Sequence, residues 1–453
     1  MTRRSFVPAA GGALAAITIL PRHVLGGAGY TAPSDKLNIA AVGVGGMGAN
    51  YVKGCESENI VAFADVDHTL AAHTFSLYPQ ARTYRDFRVM LDKEKSIDAV
   101  IVGTPDHSHA VIAMAAIKLG KAVYVAKPMT RTIYEARAIT KAAREQKVAT
   151  QMSVQSCASD PACRTAEWVQ SGVIGQVREV HVWSDRPVWP QWLARPTNSP
   201  SVPHKLDWDI WLGPAPKRPY HPIYHPFNFR GWVDFGTGAL GDMALHSFHV
   251  IFTALKLTHP TNVEACNAVV MLPAARGEGD LSWTRCRKPQ YPETFPHSSI
   301  VTWDFAAREG LPPVRLNWYD GGLKPPRPAG LEASEAWGGE GLMFVGDKGV
   351  LLSGFTGGPR LVTAAQKSAF TQPPKSLPRS PGHYQEWISA AKGGPPALCN
   401  FEFASVIAET ALLGVIAQRT GKFLVWDSEN MRITNDSAAN ELVSSEYRSG
   451  WSL

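Results

Sequence analysis

From Lys36 to about residue 150, short apolar runs alternate with longer amphipathic stretches. The runs fall at 37–42, 60–64, 99–102, 122–125 and 148–150, and most are continuous rather than alternating. A continuous run of small and β-branched residues is what a strand needs when both of its faces are buried. Between the runs lie helix formers, as at 134–146. Strands spaced by helices predict a doubly wound parallel sheet in an α/β fold. Farther along, true alternation at 178–185 predicts the first strand of a second sheet, and 299–305, 314–319 and 342–346 are further strands. Helical periodicity resumes at 384–391 and 403–418. The pattern divides the chain into a first domain at 34–155 and a second at 156–453.

The first 33 residues do not fit either domain. Arg3-Arg4-Ser5-Phe6-Val7 precedes a soft apolar run from Pro8 to Leu20. Paired arginines ahead of a weakly hydrophobic stretch form the pattern of a twin-arginine export signal, with cleavage expected between Leu25 and Ser34. The run is too short to span a bilayer, which takes roughly 20 apolar residues. No other stretch is expected to span one, so the mature chain should lie outside the cytoplasm, free of membrane. Such substrates are exported folded, which favours a tightly held cofactor.

Composition narrows the classes of partner. A charged fraction of 19% and a net charge of +6 over 453 residues describe a globular protein without a nucleic-acid footprint. Six cysteines include no C-x-x-C pair, which argues against a zinc knuckle. Cys157 and Cys163 are close enough to bridge in an oxidising compartment, although buried free thiols are the default.

The glycines carry the first chemistry. Gly43-Val44-Gly45-Gly46-Met47-Gly48 follows the first strand and opens a helix. In that context Gly43 permits the tight turn, Gly45 lets backbone approach a pyrophosphate, and Gly48 packs helix on sheet. The helix N-terminus, with Gly46 and Met47, presents N–H groups to phosphate. Asp65 ends the second strand about twenty residues on, where an acid takes ribose hydroxyls. No arginine follows it directly, so NAD is expected over NADP.

At this point the chain resembles the glucose–fructose oxidoreductase, inositol dehydrogenase and rhizopine-catabolism family, Gfo/Idh/MocA. Thr104-Pro105-Asp106-His107-Ser108-His109, Lys127-Pro128 and 238–246 carry the likeness, and 400–402 and 426–431 extend it towards the C-terminus. The resemblance implies an N-terminal Rossmann domain and a C-terminal α/β domain. The second domain would hold a large open, mainly antiparallel sheet, with a C-terminal helix packing back near the interface. It implies substrate between that sheet and the nicotinamide, and homo-oligomers formed through the open sheet face. It places Thr104, Pro105, His107 and His109 along the cofactor and Lys127 at its nicotinamide end, with Lys127, Asp242 and His246 catalytic. Two departures stand out. Ala126 occupies the position where the family usually has a glutamate, and Ser153-Val154-Gln155-Ser156-Cys157 replaces a Gly-Asn-Gln-Gly-His run, with Gln155 the residue expected to keep its cofactor role.

The residues suit that chemistry. Oxidising a secondary alcohol needs a base for the hydroxyl proton and a donor for the developing alkoxide. His246 titrates near working pH and suits the base. Lys127 can donate, and Asp242, four residues before His246, can share a helix face with it. His221, His225 and His249 lie in the same region, but no ligand pair falls on an evident helix, and no metal is expected. The aromatic loops nominate Arg186, Trp189, Arg230 and Asp234 as contacts to a sugar or cyclitol. A glycosidase working through transient sugar oxidation, and a non-catalytic sugar-binding protein, are the alternatives.

Overall fold

The computed structural model describes residues 35–272 and 290–453. The N-terminal stretch expected to be an export signal and Cys286 lie outside the described residues.

Six strands form a parallel sheet: β1 (Asn38–Val42), β2 (Asn59–Ala64), β3 (Arg82–Tyr84), β4 (Ala99–Val102), β5 (Ala122–Val125) and β6 (Thr150–Met152). Their order is β3-β2-β1-β4-β5-β6, and every pairing is parallel. Both faces are covered, which is why the central strands read as unbroken apolar runs. Ile39, Ala41, Phe63, Ile101 and Tyr124 pack on one side, against Trp387 and Ile388 from the helix His383–Ala391. Ala40, Val42, Val100, Val102 and Val123 pack on the other. The short edge strand β3 escaped the apolar pattern because two of its three residues are exposed.

Nine strands form the second sheet: β7 (Val177–Trp183), β8 (Asn262–Asn267), β9 (Ser299–Phe305), β10 (Val314–Tyr319), β11 (Gly341–Gly346), β12 (Gly349–Ser353), β13 (Arg360–Leu361), β14 (Leu424–Asp427) and β15 (Arg432–Ile433). Their order is β13-β12-β11-β7-β10-β9-β8-β14-β15. All neighbours are antiparallel except β7 and β10, so the sheet is mixed and mostly antiparallel. In β9 the burial alternates, with Ser299, Val301, Trp303 and Phe305 inward. That face meets the helix Phe401–Thr420.

Phe401–Thr420 corrects one expectation. By length and composition it could cross a membrane, but 78% of its apolar window is buried inside the protein. Its apolarity is that of a helix surrounded by other elements rather than by lipid. Cys157 and Cys163 are both buried free thiols.

One buried carboxylate ties the halves together. Glu409, in the middle of Phe401–Thr420, is 1% exposed. It receives Arg137 Nε at 2.7 Å and Nη2 at 2.9 Å, from the helix Ile133–Gln146 of the first domain, and Trp426 Nε1 at 3.0 Å from β14. Burial alone would raise its pKa, but His259 and Arg137 overcome this and hold the carboxyl below its usual range. Glu409→Ala would leave Arg137 without its partner in this setting. It is expected to lower the unfolding free energy by about 3 kcal/mol, read from urea melts; a loss below about 0.5 kcal/mol would show the bridge to be a passive contact.

Candidate functional site

The glycine loop is shaped by contacts that only glycine allows. Gly43 has a φ of +78°, and its N–H donates to Ala64 O at 2.9 Å. A Cβ on Gly48 would sit 1.8 Å from Gly43 O, so any side chain there would push the helix Met47–Gly54 off the loop. That helix starts at Gly46 with no side-chain cap and no acid in its first turn. Its first N–H groups and dipole end are therefore available to an anion.

Asp65 organises this loop. Its carboxylate accepts from Val44 N at 2.7 Å, Gly45 N at 3.1 Å and Asp67 N at 2.9 Å. Burial pushes its pKa up, and these N–H groups oppose the shift. The loop, Asp65, Thr104, Pro105 and Arg230 line one cavity of about 300 Å³. Arg85, following β3, lines it too, a residue missed in the sequence because β3 was not recognised.

A charge cluster stands at the junction of the two domains. Lys127 follows β5, and Asp242 belongs to the short helix Gly238–Met243. Lys127 Nζ contacts the Asp242 carboxylate directly and donates to Asp242 O at 2.9 Å. Arg230 Nε donates to the same carboxylate at 2.8 Å. Burial would raise the Asp242 pKa, but Lys127 and Arg230 outweigh it and hold the group well below the carboxylate range. Two cations meet this carboxylate, and the buried Asp106 carboxyl, which burial pushes up to about 6, interacts with the same group of charges. Arg230 is itself enclosed by rings, with its guanidinium 4.6 Å from Phe229, 5.2 Å from Phe227 and 5.8 Å from Trp189.

His246 begins the next helix, Leu245–Leu255, after a single linking residue, Ala244, that keeps helical angles. The Asp242–His246 spacing is therefore nearly that of one helix, as the sequence suggested. Burial, and then the Lys127 charge, push the His246 pKa well below its usual value, which corrects the expectation that it titrates near working pH: the ring is neutral.

Other nominated residues lie elsewhere. Lys127, Asp242 and His246 stand behind Arg230 without lining the cavity themselves, and His107 and His109 do not line it either. His107 is 1% exposed, with its ring nitrogens 3.2 Å from Phe235 O and 2.8 Å from Trp211 O. His109 is fully buried with Nε2 2.7 Å from Thr104 O, so it shapes the Thr104 turn from behind. Asp234 is corrected as a substrate contact: it pairs with Arg218 and lines a separate cavity of about 310 Å³. Arg186 lies beside Glu340, at 3.7 Å, and outside the cavity wall. Trp189 is buried with Nε1 on Gln191 Oε1 at 2.9 Å, and it backs the site through Arg230 and Phe227 rather than lining it. Gln155 is also outside the cavity wall, with Nε2 3.5 Å from both the Tyr124 and Tyr384 hydroxyls. Ala126 is buried in the apolar cluster that holds Tyr51 and Tyr124. His225 bonds Asp67 at 2.9 Å and His249 bonds Ser156 at 2.9 Å.

Comparison with known proteins agrees with this geometry. Residues 37–154 match the Gfo/Idh/MocA oxidoreductase family, NAD-binding Rossmann fold, and residues 165–269 match its C-terminal alpha/beta domain. Levoglucosan dehydrogenase of Pseudarthrobacter phenanthrenivorans is 27% identical over 184 residues, 40% of this chain and 39% of that protein. Inositol 2-dehydrogenase 1 of Saccharopolyspora erythraea is 30% identical over 100 residues, 21% of this chain and 30% of that protein. The aligned stretches thus span well under half of these relatives. Among solved structures, GenD2 from gentamicin A biosynthesis in complex with NAD superposes with a TM-score of 0.56 at 17% identity, over 91% of this chain and 100% of that one. Levoglucosan dehydrogenase in complex with NADH and L-sorbose gives 0.55 at 16%, over 87% and 100%. At these identities the superpositions speak to the fold.

The buried histidines make the fold sensitive to acid. Burial holds His107 and His249 down to about 4, and His109 and His383 to about 3. Below pH 6.5 the unfolded chain binds protons that the folded chain refuses, so stability falls as pH drops from 6.5 towards 4. Each such group contributes a slope of about 1.4 kcal/mol per pH unit in that window. His109→Gln is expected to remove about one proton from the slope of unfolding free energy against pH between 6 and 4.5; an unchanged slope would refute the assignment.

Proposed function

Because the chain belongs to the Gfo/Idh/MocA oxidoreductase family, we propose that it is an NAD-dependent enzyme acting on a sugar or cyclitol. It would move a hydride between the nicotinamide and a secondary hydroxyl or keto carbon. The observation that carries this reading is the shared cavity. Arg230, bound to the Lys127–Asp242 pair, and the uncapped glycine loop line the same space.

The nicotinamide ring supplies the two-electron acceptor when bound. The chain's own groups do the rest. The glycine loop and the start of Met47–Gly54 receive the pyrophosphate, and Asp65 faces the ribose. Lys127, paired with Asp242, donates to the substrate oxygen as it becomes an alkoxide. N–H donors of Lys127 and Arg230 stabilise that oxygen as charge develops on it. His246, neutral and one helical turn beyond Asp242, accepts the hydroxyl proton. The names of relatives, levoglucosan and inositol dehydrogenases among them, support a polyhydroxylated substrate. Arg3-Arg4 and the soft apolar run after them support export of the folded, loaded enzyme.

Denaturing the purified protein should release NAD or NADH in near-stoichiometric amount. Lys127→Met is expected to retain nucleotide binding within a few-fold while lowering turnover of the active polyol by about 10³. A protein that binds neither NAD(H) nor NADP(H), or a Lys127→Met variant at full activity, would overturn the reading.

A further inference from the structure

Besides the loops of the first sheet and residues 210–230, the cavity is lined by a segment from the end of the chain. After the turn Glu441–Val443 the chain runs back to the first domain and is fastened on the way. The Tyr447 hydroxyl donates to Glu135 Oε1 at 2.6 Å. Arg448 N donates to Pro214 O at 3.1 Å, and its guanidinium Nη1 to Asp209 Oδ1 at 2.9 Å. Near the last residue, Lys118 Nζ donates to Leu453 O at 3.1 Å. Between these anchors Trp451 enters the cavity wall. Phe87 lies 6.2 Å from its ring and the Arg88 guanidinium covers it at 4.6 Å.

The strand order says which end of the cavity this is. Lys127 follows β5, the glycine loop follows β1, Asp65 follows β2, and Phe87 follows β3. In the order β3-β2-β1-β4-β5 these positions form a line along one edge of the sheet. A dinucleotide with its nicotinamide at Lys127 and its pyrophosphate on the glycine loop has its other ribose at Asp65. Its base then lies beyond Asp65, on the β3 side, beside Phe87 and Trp451.

We propose that Trp451 is an adenine-stacking residue, and that the anchored C-terminal tail completes the cofactor site in cis and slows cofactor release. This inference rests on the reading of the cavity as an NAD site. An indole held beside Phe87, with the Arg88 guanidinium at 4.6 Å and that of Arg448 at 5.8 Å, is a pre-positioned aromatic platform for a purine. The anchors hold it in place before the nucleotide arrives, so little ordering remains to be done on binding.

The test uses the full chain, stripped of bound nucleotide, with three probes: NAD, ADP-ribose and nicotinamide mononucleotide. Trp451→Ala is expected to weaken NAD and ADP-ribose by at least about tenfold and to speed NAD release similarly. Nicotinamide mononucleotide, which lacks the base, should bind as it does to the parent chain, and this also reports an intact fold. Trp451→Phe should recover most of the loss. Tyr447→Phe, which keeps the indole and its neighbours but removes the Glu135 anchor, should weaken ADP-ribose in the same direction. If Trp451→Ala binds ADP-ribose within twofold of the parent, or loses all three probes equally, the assignment is overturned while the NAD site stands. If the parent chain binds none of the three, the NAD reading falls and this one with it.

Discussion

A carboxylate taken out of water sets the terms for this molecule. Asp242 could not remain ionised in its position without compensation, and it has two cations. One, Lys127, comes from the end of β5 in the first domain, and the other, Arg230, from the loop ahead of the Asp242 helix. The pair is thus also a cross-domain bond. Removing either cation would leave charge buried without full compensation, which is more costly than the bond is worth in isolation. The arrangement therefore constrains where the second domain sits. It also sets Lys127 behind Arg230, the member of the cluster that lines the cavity.

Much of this was legible in the sequence, for a physical reason in each case. Strands buried on both faces must be apolar throughout, so the central strands of the first sheet declared themselves. The glycine string was specific because its strand and helix context came with it, and Gly48 has no room for even a methyl group. Lys127 and Asp242 are 115 residues apart, and no local pattern joins them. Only the family resemblance brought them together in advance. Arg230 was nominated for its aromatic surroundings, and those same rings enclose it in the fold.

What the sequence misread has a common cause. A histidine meant for a cofactor and a histidine satisfied by carbonyls look alike in a motif. His107 and His109 belong to the second kind, since each reaches a backbone oxygen in the interior. Asp234 looked free but is claimed by Arg218, a partner that no periodicity indicates. The edge strand β3 was silent because exposed residues carry no burial signal, and its silence hid Arg85. The helix Phe401–Thr420 went unremarked as a spanning length because its polar residues, Glu409 among them, interrupt the apolar run in sequence while being neutralised in space.

Chain order and spatial order also part company towards the C-terminus. Two late segments, His383–Ala391 and the tail after Val443, return to the first sheet. The first covers a face of that sheet, so the Rossmann core is completed only after seven of the second sheet's nine strands, β7 to β13, have been made. The tail reaches the edge near β3, where the first domain has only a three-residue strand and an exposed arginine to offer. A dinucleotide site bounded by a short edge strand is open at its base end. Closing it with a segment pinned at Glu135, Pro214 and Asp209 links the grip on the base to the same domain junction that Asp242 holds, because those anchors lie on both sides of it. The two ends of the nucleotide cavity are in this sense held by one constraint, the fixed relation between the domains.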